Sequence, residues 1–224
     1  MEQKNGLGYE IKENVFQRNS TYVAYPVIVS EADSEKQDIW NKIILDDIGR
    51  ILKNYSAYAF TPHPEERDIF QPDTLHITYE IKRSDKRYLS ILYVADFYSP
   101  YAAYPTQMIY TTNIDLEHGR SLKLSDFITD IKSLADNITS WKLVSKPNGI
   151  KEYNKAVTDY INGLGKEILL MGFKSADIIG PDNYLGIFSY LTPDKLGISI
   201  SVPNYLGDHV EFEKPLKEIN QDIS

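Results

Sequence analysis

Two hydrophobic periods alternate along this chain, and that alternation restricts it to folds mixing helix with sheet. In Tyr22–Val29 the residues Val23, Tyr25, Val27 and Val29 take every second position, the repeat of a strand with one covered face. After Ser34 the repeat changes. Ile39, Trp40, Ile43, Ile44, Ile48, Ile51, Leu52 and Tyr55 follow the turn of an amphipathic helix, and Ser34-Glu35-Lys36-Gln37 predicts a capping box at its start. At Leu75 the twofold repeat returns, with Leu75, Ile77, Tyr79 and Ile81 alternating with His76, Thr78, Glu80 and Lys82.

Turn residues place the remaining elements. Asn19-Ser20 separates two strands, and a loop runs from Thr61 to Pro72. Ser84-Asp85-Lys86 turns into a strand at Tyr88–Phe97. The loop Tyr98–Pro105 and a strand at Gln107–Asp115 follow, and Gly119 supplies the next turn. Ser125–Ile128 reads as a short capped helix, and Trp141–Val144 as a short strand or a helix end. Tyr153, Val157, Tyr160, Ile161, Leu164 and Ile168 predict a second long helix over Lys151–Met171, with Gly163 and Gly165 serving close packing on the sheet. Strands at Tyr184–Leu191, Leu196–Val202 and His209–Phe212 and a helical turn at Pro215–Ile219 close the chain. This order predicts an α+β fold, antiparallel sheet packed by two long amphipathic helices that bury Trp40, Ile44, Ile51, Tyr160 and Leu164. With 224 residues and no Ser- or Gly-rich linker, the expected organisation is two closely packed domains, 1–105 and 106–224.

Several chemistries are excluded or disfavoured. There is no cysteine, so disulfide scaffolds and thiol nucleophiles fall away. No apolar run reaches the length of a membrane span, and the first residues lack the apolar core of a signal peptide. A formal charge of −8 argues against nucleic acid and is compatible with a basic protein partner. His63, His76, His118 and His209 have no metal-ligand spacing, so neither a metal nor a cofactor is expected. There is no nucleophile elbow and no phosphate loop. Asp46-Asp47, Glu65-Glu66 and Asp126 near Asp130 are the acids that glycosidase-type chemistry could use; solvated surface acids are the simpler reading. Tyrosine stands out at 17 copies, against 8 Phe and 2 Trp. Tyr98, Tyr101 and Tyr104 share one proline-flanked loop and are the candidate partner-binding residues, since tyrosine offers rigid amphipathic contact area. The competing reading has their rings covering the end of the sheet.

The stretch Tyr101-Ala102-Ala103-Tyr104-Pro105-Thr106, then Ile109 to Leu116 ending Asn113-Ile114-Asp115-Leu116, then Gly119-Arg120 and Leu124-Ser125-Asp126-Phe127, resembles the bacterial extracytoplasmic domain of unknown function 3298. Phe188 to Leu196, Val210-Glu211-Phe212 and Pro215-Leu216 look like its close. Tyr9–Phe97 is similar to the companion domain 4163 that commonly precedes it. Where the family's turn carries histidine, this chain has Tyr104. The pair occurs in RsiV-type anti-sigma factor ectodomains, which sense lysozyme, and beside the deacetylase module of PdaC-type envelope enzymes. The resemblance implies the fold and an extracytoplasmic location, with leader or anchor outside this chain, but not lysozyme recognition; taken with the tyrosine loop, the expectation is a non-enzymatic binding or sensor module. Its ligand would be a protein, basic and lysozyme-like in kind, or a peptidoglycan-related molecule. The rivals are an envelope glycan hydrolase using paired carboxylates and an orphan structural domain.

Overall fold

The computed structural model describes residues 8–30, 33–56, 72–144 and 152–219. Strands β1 (Glu10–Arg18) and β2 (Thr21–Val29) form a hairpin around Asn19-Ser20, with Asn19 left-handed at φ 51°. Helix α1 (Ser34–Ser56) follows, then the meander β3 (Thr74–Ser84), β4 (Tyr88–Tyr98), β5 (Thr106–Asp115) and β6 (Arg120–Leu122). The loop expected at Thr61–Pro72 lies, up to residue 71, outside the described residues. Strands β1 to β6 lie in chain order in one sheet. Neighbours are antiparallel except β2 and β3, which run parallel over Thr21–Val23 with α1 in the crossover. The expected boundary at residue 105 falls inside this sheet, between the paired strands β4 and β5.

Helices α2 (Leu124–Phe127), α3 (Ile131–Asn137), α4 (Tyr153–Leu164) and α5 (Lys166–Lys174) follow. A second, antiparallel sheet combines β7 (Lys142–Leu143), β8 (Phe188–Leu191), β9 (Lys195–Ser201) and β10 (His209–Pro215) in the order β7-β10-β9-β8. The fold is α+β, as the period alternation requires. Among the described residues no helix is long and apolar enough to cross a membrane.

Alternation along β4 and β5 sorts side chains between two partners. Leu89, Ile91, Tyr93 and Ala95 of β4, with Tyr110 and Ile114 of β5, pack in one core with Trp40, Ile44, Ile48 and Ile51 of α1. The other face turns Ser90, Leu92, Ile109 and Asn113 toward β8. Beyond the second sheet, Val157, Ile161, Leu169 and Phe173 of α4 and α5 cover Ile198, Ile200, Val210 and Phe212. Trp40, Ile44 and Ile51 are buried, whereas Tyr160 and Leu164 are half-buried against this second core.

Three local readings are corrected. The α1 cap is Asp33 rather than Ser34: its carboxylate accepts the Lys36 N–H at 2.9 Å, while Gln37 accepts the Ser30 N–H at 2.8 Å. The expected second long helix is two helices, α4 and α5, divided at Gly165. Gly165 has φ 83° and ψ 153°, a conformation close to glycine's own, and its missing Cβ would meet nothing within 4 Å, so it breaks the helix instead of packing on the sheet. Lastly, β8 starts at Phe188 rather than Tyr184. The backbone before it is held by a side chain: the Asn183 amide accepts from the Ile187 N–H at 2.9 Å and donates to its carbonyl at 3.0 Å.

The two glycines are expected to respond oppositely to alanine. Gly163→Ala lies in the helix with open space around its Cβ and should raise stability by up to about 1 kcal/mol. Gly165→Ala should lower it by about 1–3 kcal/mol. Denaturant midpoints of both variants check this, and equal signs refute the account of the helix break.

Candidate functional site

Tyr98 ends β4, paired with Thr74, and the chain then turns through Ser99–Ala102. The Ala102 N–H donates to the Ser99 carbonyl at 3.0 Å with Pro100 at the second turn position, where its fixed φ fits. Pro105, just before β5, disfavours helical backbone at Tyr104, where the chain bends. Tyr98, Tyr101 and Tyr104 are 46%, 67% and 64% exposed.

Two further loops meet the start of β5 beside this turn. The Gln107 N–H donates to the Asp208 carboxylate at 3.2 Å, bringing up the β9–β10 connection, whose 3-10 turn Asn204–Leu206 carries exposed Tyr205. Met108 lies against Ser201 and Gly186, and the Ser201 N–H donates to the Leu185 carbonyl at 3.2 Å, next to exposed Tyr184. Exposed tyrosines thus sit on three loops tied to one strand end, together with Asp96, which accepts from the Gln107 side chain at 2.8 Å, and Asp208. Sequence reading missed Tyr184 and Tyr205 because Tyr184 looked like part of a strand and Tyr205 has no aromatic neighbour in sequence.

The Asn113–Leu116 motif is structural. Strand β8 is an edge of its sheet, and its outward backbone groups are met by side chains of the other sheet. The Asn113 amide donates to the Ser189 carbonyl at 2.8 Å, and the Ser90 hydroxyl accepts the Leu191 N–H at 2.9 Å and donates to Asn113 at 2.6 Å. Asp177 accepts the Ser189 N–H and hydroxyl, both at 2.6 Å, and the Leu124 N–H at 2.6 Å. These groups clasp the two sheets. Ile114 and Leu116 are core. Asp115 accepts the Glu117 and His118 N–H groups at 3.1 Å and meets the His118 ring at 2.9 Å. Burial opposes its ionisation, but His118 outweighs this and holds the carboxyl below its ordinary range.

The carboxylate pairs singled out in the sequence that fall among the described residues are engaged elsewhere. Asp46 binds Lys42, while buried Asp47 accepts from Thr112 at 2.8 Å and Arg50 at 2.7 Å. Asp126 caps α2 and pairs with Arg120, and Asp130 caps α3. Glu65-Glu66 and His63 lie outside the described residues. His76 stacks on Tyr22 at 4.6 Å. Among the described residues no three His, Cys, Asp or Glu side chains converge on a metal position.

The fold instead gathers a polar cluster that the sequence did not announce. The Tyr190 hydroxyl lies 2.8 Å from Glu211 and 3.3 Å from Glu213. Lys195 pairs with Glu213 at 3.0 Å, His209 lies 3.5 Å from Glu211, and Lys82 sits 4.8 Å over the Tyr190 ring. Burial, then the Glu211 charge, pushes the Tyr190 hydroxyl up. Burial works against Glu211 ionising, yet the His209 and Tyr190 hydrogen bonds prevail and hold it below its ordinary range. At the far end of β10 from Asp208, Ile128, Asp130, Asn137, Trp141 and Lys214 line an open cleft of about 380 Å³.

A helix-backed sheet clasped to a second helix-covered sheet, with aromatic loops at one end, defines an α+β module. Its fold is similar to that of a DUF3298 family protein from Bacteroides fragilis, whose crystal structure aligns with a TM-score of 0.54 and 17% identity over 95% of this chain and 92% of that one. A DUF3298 family protein from Pseudomonas aeruginosa aligns with a TM-score of 0.48 and 13% identity over 96% and 94% of the two chains. No family model and no curated protein matches the sequence.

Proposed function

We propose that this chain is a non-enzymatic, extracytoplasmic binding or sensor module that recognises a protein or cell-wall ligand through its tyrosine-bearing loops. The observation that carries this reading is the exposure of Tyr98, Tyr101, Tyr104, Tyr184 and Tyr205 on loops joined at the start of β5. Exposed aromatic anchors on stiffened loops favour binding, because little order has to be imposed on them. Asp96 and Asp208 beside them, and the net charge of −8, suit a basic partner. The envelope setting rests on the resemblance carried by Tyr101–Phe127.

The hydrolase alternative has less support. Glu211 and Glu213 are close enough to share one hydroxyl, as a retaining pair would be. Such a pair needs a protonated acid beside its ionised nucleophile, and Glu211, held ionised by its hydrogen bonds, cannot be that acid. Both side chains are also largely covered, at 17% and 12% exposure.

Lysozyme and purified peptidoglycan are the two probes. The wild-type chain is expected to bind one of them, and Tyr101→Ala with Tyr104→Ala to weaken that binding by about 1–2 kcal/mol per ring. Stability should change by no more than about 0.5 kcal/mol, as for other exposed positions. Binding of neither probe, or equal binding by the variant, removes the tyrosine loops as the contact site for these ligands.

A further inference from the structure

We infer that β1 is a self-complementary edge through which two copies of this chain join their β1–β6 sheets into one continuous sheet. Among the described residues β1 has β2 as its single strand neighbour, and every residue from Lys12 to Arg18 is exposed.

Hairpin geometry fixes which backbone groups are free. A two-residue loop closes on a hydrogen-bonded pair, here Arg18↔Thr21, so the even-numbered residues of β1 exchange bonds with the odd-numbered residues of β2. Two features of β2 agree. Pro26, which has no N–H, falls at a position that needs none, and the Ile28 N–H and C=O point away from β1 to the Asn41 amide, at 2.8 Å each. The odd residues Ile11, Glu13, Val15 and Gln17 therefore turn their N–H and C=O outward. The Val15 N–H meets the side chain of the preceding Asn14, at 3.0 Å, a local partner on an exposed edge.

Antiparallel pairing of β1 with a second β1 about a twofold axis at Asn14 uses these groups in register. Glu13 then faces Val15 and Ile11 faces Gln17 as bonded pairs. Between them Lys12 faces Phe16 twice, and outside them Glu10 faces Arg18 twice. Opposite charges thus meet at both ends, and a lysine stem lies along each exposed aromatic ring. Val15 and Phe16, each 44% exposed as a monomer, are covered. The occupant is a second copy because the strand is complementary to itself, the condition for an isologous twofold interface. One strand pair buries less than a standard interface, so the dimer is weak, with a Kd on the order of micromolar to tens of micromolar.

Sedimentation equilibrium tests this on the full chain at up to about 100 μM, where such a Kd puts more than about half of the chain in the dimer. Wild type should dimerise. Val15→Pro removes an outward N–H without touching the β2 ladder and should be monomeric. Arg18→Glu opposes like charges at both ends and should weaken association at least about tenfold, whereas Glu10→Arg with Arg18→Glu should restore it. Should Val15→Pro fail to fold, as judged by circular dichroism, the charge swap decides alone. A monomeric wild type, a dimer indifferent to these substitutions, or a charge swap that restores nothing overturns the inference.

Discussion

Replacing Asp177 by alanine is expected to destabilise the fold by about 3 kcal/mol or more in a denaturant titration. Its carboxylate is the acceptor for the Leu124 and Ser189 N–H groups and the Ser189 hydroxyl, and Thr111 approaches at 3.5 Å. Alanine leaves those donors buried without an acceptor, at about 1–3 kcal/mol each. The backbone adds to the loss, because Asp177 is left-handed at φ 61° and alanine tolerates that less well. Asp177→Gly spares the backbone contribution and should be less destabilised than Asp177→Ala by about 1 kcal/mol.

The same residue gives a pH signature. Burial pushes the Asp177 carboxyl up to about 6 from an ordinary 3.8, despite the hydrogen bonds that favour its charge. The native state then binds this proton more tightly than the unfolded chain, so the group's contribution is full below about pH 4 and is lost as pH rises through 6. The stability gap between wild type and Asp177→Gly should be wider at about pH 4 than at about pH 7. A gap that widens with rising pH would contradict the burial argument.

Gly197→Ala is expected to cost about 3 kcal/mol. The added Cβ would fall within the Tyr190 ring, which is fully buried against Leu92 and Ile109 and held by Glu211 and Glu213. The ring has no free direction in which to yield. Tyr190→Ala alone should cost about 3–5 kcal/mol as a truncated core aromatic. In that background Gly197→Ala should cost less than about 1 kcal/mol, a coupling of about 2 kcal/mol in the double-mutant cycle. Additive losses would show that the ring and the glycine do not meet.

Much of this architecture was legible in side-chain periods. The alternation of Leu75, Ile77, Tyr79 and Ile81, and the helical spacing from Trp40 to Ile51, each report burial of one face, which is a local property of the chain. What escaped the reading depends on backbone conformation or distant partners. Gly165 looks like any helix glycine until its positive φ is seen. Asp33 and Ser34 are both good caps, and only geometry chooses between them. Asn183 holds Ile187 out of a strand that its apolar neighbours suggest. Of the candidate site, the β4–β5 loop with Tyr98, Tyr101 and Tyr104 was visible as a proline-flanked aromatic cluster. The loops carrying Tyr205 and Tyr184 join it through contacts that span 101 and 93 residues of chain, for which no local pattern exists. Asn113 and Asp177 are likewise separated in sequence and share a task only because both reach Ser189.

The clasp around β8 also orders events during folding. The β3–β4–β5 meander joins residues close along the chain, through short turns whose closure costs little entropy. The Ser90–Leu191 and Asn113–Ser189 bonds span separations of 101 and 76 residues. Until they form, the Ser189 carbonyl and the Leu191 N–H on the edge of β8 have only water to meet, although Ser90 and Asn113 already bond to each other within the meander. Docking of the second sheet on the first is therefore expected to follow assembly of the meander, with substitutions at Asn113 or Ser90 speeding unfolding more than they slow folding.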